Sequence, residues 1–237
     1  MSSHVIVFGG SSGIGEAVAR TFATAGSRVV IAGRDPQKLA AARERLPAGV
    51  TARAVDAMDR RAVESLFAEL GPFDHLVLSI SGGKGGGPFR QLSLDDLRSG
   101  LEHKLLAQLS VAQASLATIA PTGSITLVSS ASGRLAIPNT AGLAAINAAV
   151  DAAVRTLALE LAPLRVNAVS PGIIDTPWWD AAPAALKQGA FAQAASSLPV
   201  RRVGRPEDVA AAIAMVATNG FMTGTVIAVD GGAHLGR

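Results

Sequence analysis

Residues 9 to 15 read Gly9-Gly10-Ser11-Ser12-Gly13-Ile14-Gly15, directly after the apolar run His4–Phe8. Glycines at Gly9, Gly13 and Gly15 let a backbone turn tightly and approach a ligand closely. A helix starting there offers free N–H groups and a partial positive charge, which together suit a pyrophosphate. The next apolar run, Arg28–Ala32, leads into Gly33-Arg34, where an acidic residue would bind the 2′-hydroxyl of an adenosine ribose. Arg34 instead presents a planar fork suited to a 2′-phosphate. The expected ligand is therefore NADP(H), with NAD less well matched. Asp35-Pro36 reads as a helix cap and first turn.

Other chemistries are excluded by what is missing. The 237-residue chain has no Cys, which removes disulfides, thiolate metal sites and cysteine nucleophiles, and no Tyr, which removes any phenolic acid or base. No His/Asp/Glu cluster has metal-ligand spacing. Net charge is +3 and the longest basic runs are the pairs Arg60-Arg61 and Arg201-Arg202, so nucleic acid is not an expected partner. No apolar run reaches the roughly 18 residues of a membrane span, and the N-terminus lacks a secretory pattern. A cytoplasmic protein with no membrane partner is expected. At 49% hydrophobic and 16% charged residues, the chain has the means to bury a core.

The elements that must position these residues alternate along the chain. Strands are expected at His4–Phe8, Arg28–Ala32, Val50–Val55, Leu76–Ile80, Ser124–Ser129, Arg165–Val169 and Thr225–Val229. Helices are expected at Ile14–Ala25, Pro36–Leu46, Arg60–Leu70, Leu94–Ile119, Thr140–Leu161 and Pro206–Ala217. This alternation predicts an α/β protein, one domain over 1–237, with parallel strands and helices on both faces. Thr140–Leu161 is apolar almost all round and is expected to be buried on more than one side. Ligands of such sheets lie beyond the carboxyl ends of the strands. Two unusual loops leave from there. Ser81–Pro88 carries five glycines around Lys84, and Thr176–Val200 carries Trp178 and Trp179 before an Ala-rich stretch. The second is expected to be a lid over a small, apolar substrate, with Phe191 contributing.

The motifs resemble those of the short-chain dehydrogenase/reductase family. They are Gly9-x-x-x-Gly13-x-Gly15, Asp56 after the third strand, Asp74 and Leu76-Val77 at the fourth, and Ser129-Ser130 after the fifth. Arg165 to Gly172 (Arg-Val-Asn-Ala-Val-Ser-Pro-Gly), Thr176, Gly204 to Ala210, Thr223-Gly224 and Asp230-Gly231-Gly232 complete the match. The resemblance implies a Rossmann-type, doubly wound, seven-stranded parallel sheet, a nicotinamide cofactor and a homo-oligomer, a tetramer or dimer. It places the cofactor on Gly9, Ser11, Ser12, Gly13, Ile14, Gly15 and Arg34, on Asp56 and Ala57, on Ser79 and Ser81, and on Pro171, Gly172, Ile174 and Thr176.

The resemblance also shows what has changed. The family's Ser, Tyr and Lys fall on Ser130, Leu143 and Asn147, and its Asn on the preceding long helix falls on Lys104. Leu143 neither gives nor takes a proton. Ser130 is expected to hydrogen-bond a substrate oxygen and Asn147 to bond ribose hydroxyls. Lys104 would polarise the substrate oxygen or protonate it, with His103 a second proton carrier. Leu143, Trp178 and Trp179 would line the substrate. The reading is an NADP(H)-dependent oxidoreductase with a non-standard site. The alternatives are an NADP(H)-binding pseudoenzyme or interaction protein, and a lyase or isomerase reusing the pocket.

Overall fold

The computed structural model describes residues 3–236. Seven strands form one sheet in the order β3-β2-β1-β4-β5-β6-β7. They are β1 (His4–Phe8), β2 (Arg28–Gly33), β3 (Thr51–Ala54), β4 (Phe73–Leu78), β5 (Ile119–Val128), β6 (Arg165–Pro171) and β7 (Val226–Val229). Every neighbouring pair is parallel. The expected doubly wound architecture is thus present, and the strand order reverses direction between β1 and β4. That reversal opens a crevice at the carboxyl edge.

Strand residues alternate between two cores, as a sheet covered on both faces requires. Val5 and Val7 join one core with helices α1 (Gly13–Thr24), α2 (Pro36–Arg45) and α8 (Pro206–Thr218). Ile6 and Phe8 join the other, with α3 (Arg60–Leu70), α5 (Ala107–Ser115) and α6 (Ala141–Glu160). The α2 start follows its sequence signal: Asp35 accepts from the backbone N–H groups of Gln37 and Lys38, with Pro36 in the first turn.

Two expectations are corrected. The helix expected at Leu94–Ile119 is interrupted: α4 (Leu94–Gly100) passes into a π-helical turn, Leu101–Leu106, before α5, and Ile119 already belongs to β5. A uniform apolar pattern conceals a register change of this kind, because the π turn adds a residue without breaking hydrogen bonding. The segment Thr176–Val200 is not a plain loop. It holds a short 3₁₀ turn, Pro177–Ala181, and helix α7 (Ala184–Ser197), formed by an alanine-rich stretch of high helix propensity. Finally, α6 buries one stripe, including Ile146, Asn147, Val150, Asp151 and Val154, while Ala141, Ala145, Ala148, Ala152 and Leu159 are exposed in the single chain. By length and mean hydropathy (1.4), α6 is also long and apolar enough to cross a membrane, although its inner face is packed on β6 and carries a carboxylate.

A buried guanidinium fixes the far end of the sheet. Arg165 is 8% exposed and donates to the carbonyls of Val216, Ala217 and Met222, closing the C-terminus of α8 with positive charge. Ser124 donates to the Ala217 carbonyl as well. Replacing Arg165 by Leu leaves buried carbonyls without donors. The Arg165→Leu variant is expected to lose about 3 kcal/mol of stability in urea denaturation, whereas the exposed Arg90→Leu variant should change it little.

Candidate active site

The turn between β1 and α1 leaves no room for side chains where it matters. Gly9 adopts φ +76°, and a Cβ there would run into the Ser79 carbonyl. A Cβ at Gly15 would strike the Gly9 carbonyl, so the turn and the first helical turn touch backbone to backbone. No side chain caps the start of α1: Ser12 makes no capping hydrogen bond, which leaves the amides at Gly13, Ile14 and Gly15 to an external acceptor. A cleft of about 470 Å³ opens beside this turn, lined by Ser11, Ser12, Lys38, Ala41, Arg45, Pro177 and Asp180. A backbone cradle with uncapped amides and an open cleft fits a pyrophosphate.

The other expected cofactor residues lie along the same edge. Arg34 follows β2, is exposed, and has no hydrogen bond or ion pair among the described residues. Asp56 and Ala57 follow β3, and the Asp56 carboxylate accepts from the Met58 amide. Ser79 continues β4 and is hydrogen-bonded to Phe8, with Ser81 exposed two residues on. Pro171 closes β6, and Gly172 donates to Val229. Ile174 is buried and bridges to Gly204, and Thr176 lies over Gly13, its side-chain carbons 3.2 Å from where a Gly13 Cβ would be.

Beyond the ends of β4 and β5 lies a polar group of different character. Lys104, in the middle of the π turn, points inward and donates to the Ser129 carbonyl at 3.2 Å. Burial pushes its ammonium down to about 8, against a smaller opposing pull from Asp151. His103 turns to its own helix and bonds the Ser99 carbonyl, which takes it out of the group. Gln108, fully buried, donates to the carbonyls of Ile80 and Val128.

Ser130 stands at the end of a donor chain. The Leu143 carbonyl can only accept, so the Asn147 side-chain nitrogen faces it, at 2.8 Å. The same nitrogen reaches Ser132 Oγ at 3.2 Å, and Ser132 Oγ reaches Ser130 Oγ at 3.4 Å. With each link donating toward Ser130, the Ser130 hydroxyl proton is left for an outside acceptor. Asn147 is 2% exposed and lies behind Ser132. Its geometry supports Ser130, a role the sequence does not reveal, because the Ser130–Ser132 link exists only once both helix and strand are in place.

The glycine-rich loop folds over the start of α6. The Gly85 carbonyl accepts from the Leu143 amide, Gly87 donates to Asn139, and a Cβ at Gly86 would sit 3.4 Å from the Leu143 side chain. Lys84 is drawn away into an ion pair with Asp96 at 3.2 Å. In the segment 176–200, Trp178 and Trp179 meet edge to face at 5.0 Å, Trp179 meets Phe191 at 5.5 Å, and Trp179 donates to the Ile174 carbonyl. Lys187 sits over the Phe191 ring and near Asp175 and Asp180. These three aromatic residues therefore form one cluster within that segment. Among the described residues no three His, Cys, Asp or Glu side chains are grouped to hold a metal ion.

Comparison with known proteins places this edge in context. A family model described as enoyl-(acyl carrier protein) reductase matches residues 9–234. A short-chain dehydrogenase/reductase of Stachybotrys chlorohalonatus is 33% identical over 253 residues, covering 98% of this chain and 96% of the relative. The cis-4-hydroxycyclohexanecarboxylate dehydrogenase of Sinomonas cyclohexanicum is 34% identical, over 96% of this chain and 94% of that one. Among solved structures, a small-chain dehydrogenase in complex with NADPH superposes with a TM-score of 0.83 at 31% identity, over 100% of both chains. The glycine cradle, the parallel strand order and these whole-length matches make the chain a member of the short-chain dehydrogenase/reductase family of oxidoreductases.

Proposed function

We propose that the protein is an NADP(H)-dependent oxidoreductase in which the Lys104 ammonium stands in for the missing phenol. The observation that carries this reading is the inward Lys104, held on the Ser129 carbonyl immediately before Ser130. Support for the cofactor comes from the uncapped cradle, from Arg34 and Lys38 beside it, and from the NADPH bound by the similar small-chain dehydrogenase. When bound, NADP(H) supplies or takes the hydride. The chain's own groups do the rest. The amides of Gly13 to Gly15 hold the pyrophosphate, and Arg34 pairs with the 2′-phosphate. Ser130 donates to the substrate oxygen, and Asn147 and Ser132 hold that hydroxyl in place. Lys104 delivers a proton to the same oxygen during reduction and takes it back during oxidation. A half-buried lysine whose ammonium is lowered to about 8 suits both directions.

The substrate class that fits is a small, apolar or aromatic carbonyl, or a conjugated C=C or C=N compound, gathered under the lid by Trp178, Trp179 and Phe191 with Leu143 as floor. The exposed small residues Ala141, Ala145, Ala148 and Ala152 along α6 suit close helix packing between copies and support a homo-oligomer. A cytoplasmic location is part of the same proposal. A second reading, an NADP(H)-binding pseudoenzyme, draws on the way Gly85 and Gly86 cover Leu143.

Turnover of NADPH with a panel of ketones, enones and imines separates the two: reduction of at least one is expected, and none above buffer would favour the pseudoenzyme. The Arg34→Ala variant is expected to bind NADPH about 10- to 100-fold more weakly by calorimetry, with NADH binding little changed. The Lys104→Met variant is expected to lose about 100-fold or more in kcat. With the wild type, reduction should fall as pH rises through about 8, as the ammonium gives up the proton it must deliver.

A further inference from the structure

Asp151 lies one helical turn beyond Asn147 on the inner stripe of α6 and is 9% exposed, and α6 packs against the π turn that carries Lys104. One carboxylate oxygen accepts from Arg134 Nε at 3.0 Å. The other is buried and has no hydrogen-bond partner among the described residues. Arg134 is itself anchored by a hydrogen bond to the Val226 carbonyl at 3.1 Å. A carboxylate is an unfavourable choice for a helix face packed on a sheet unless opposite charge is near. Arg134 satisfies one oxygen only.

The Lys104 ammonium presents the matching deficit. It has three protons to donate and uses one on Ser129. Three further side-chain oxygens in the same layer, Gln108 Oε1, Ser129 Oγ and Asn147 Oδ1, are buried and unpartnered. Such groups are met by ordered solvent or by ligand atoms. The other charges around Lys104 are engaged elsewhere: Lys84 with Asp96 and His103 with the Ser99 carbonyl, while Glu102 lies on its own helix and the end of β5 offers only serines.

We infer that Asp151 is a positioning residue of the active site: clamped on one oxygen by Arg134, it uses its free oxygen to hold the Lys104 ammonium charged and in place through bridging water. The arrangement is a plus–minus–plus series, Arg134–Asp151–Lys104, running from an exposed arginine through a buried carboxylate to a half-buried lysine. The outer arginine limits how strongly Asp151 can attract the lysine. The two flanking substitutions should therefore act in opposite directions, a signature that a merely structural role for Asp151 lacks. The inference gives Asp151 a catalytic consequence only if Lys104 is the proton donor, so it rests on the proposed function. Its electrostatic content can be tested without turnover.

The chain has only four lysines, Lys38, Lys84, Lys104 and Lys187, so ¹³Cε-labelled lysine gives a spectrum in which Lys104 is assigned by its loss in Lys104→Met. Each variant is titrated by NMR. In Asp151→Asn, the Lys104 midpoint is expected to move down by about one pH unit. In Arg134→Gln it is expected to move up, and in Asp151→Glu to stay near the wild type. A loosened fold would expose Lys104 and raise its midpoint, so partial unfolding of Asp151→Asn cannot imitate the expected fall. A midpoint that is unmoved or raised in Asp151→Asn overturns the inference. If Lys104→Met keeps full activity while the titrations move as expected, the proton-donor reading fails and the charge series stands.

Discussion

A cation inside a protein has to be compensated where it sits, and the carboxyl end of β5 is arranged around that requirement. Lys104 lies within the π turn Leu101–Leu106, and the Ser129 carbonyl receives its ammonium. Burial lowers its proton affinity and Asp151 restores part of it. A lysine left in water would stay charged across the physiological range and make a poor acid. In the proposed function, this half-buried position is what suits it to carry a proton. The same position dictates the surrounding chemistry: a carboxylate on the inner stripe of α6, carbonyl-binding Gln108 below, and serines above.

Leu143 and Asn147 each have a defined setting on α6. Where Leu143 stands, the helix surface is apolar, and the glycine-rich loop closes onto it through backbone contacts that any side chain at Gly85 would impede. Asn147 keeps its place on the helix but turns to Ser132, so its influence on the site runs through the Ser130 hydroxyl. The cradle at the start of α1 is independent of both. Its demands are steric, set by Gly9 and Gly15, and they are met without reference to what happens at β5. Cofactor binding and proton transfer are thus separable in this fold.

Much of this was legible in the sequence because the signals were local. The strand–glycine–helix turn, the Asp35 cap and the continuous apolar run of β1, buried on both faces, each depend on neighbours in the chain, and each is found as expected. Residues from six strand ends met at one edge because parallel connections leave no other arrangement. What escaped notice depends on three-dimensional placement. The π turn around Lys104 is hidden in a helix whose apolar pattern stays continuous. The Asn147–Ser132–Ser130 chain joins residues that sequence reading treats separately. Asp151 carries no motif at all, and only burial and the partnerless oxygen single it out. Helix α7 was hidden by a run of alanines too even in hydrophobicity to show a face.

The central claim is that the reacting edge of a bound nicotinamide faces Ser130 and an inward Lys104 in place of a phenol. A crystal structure of the NADPH complex tests it most directly. The account predicts the pyrophosphate on the amides of Gly13 to Gly15, and the nicotinamide over Ser130. The Lys104 ammonium should open to the same space, within hydrogen-bond reach of a substrate oxygen directly or through one water. A nicotinamide that lies elsewhere, or a Lys104 walled off from it by side chains, would contradict it.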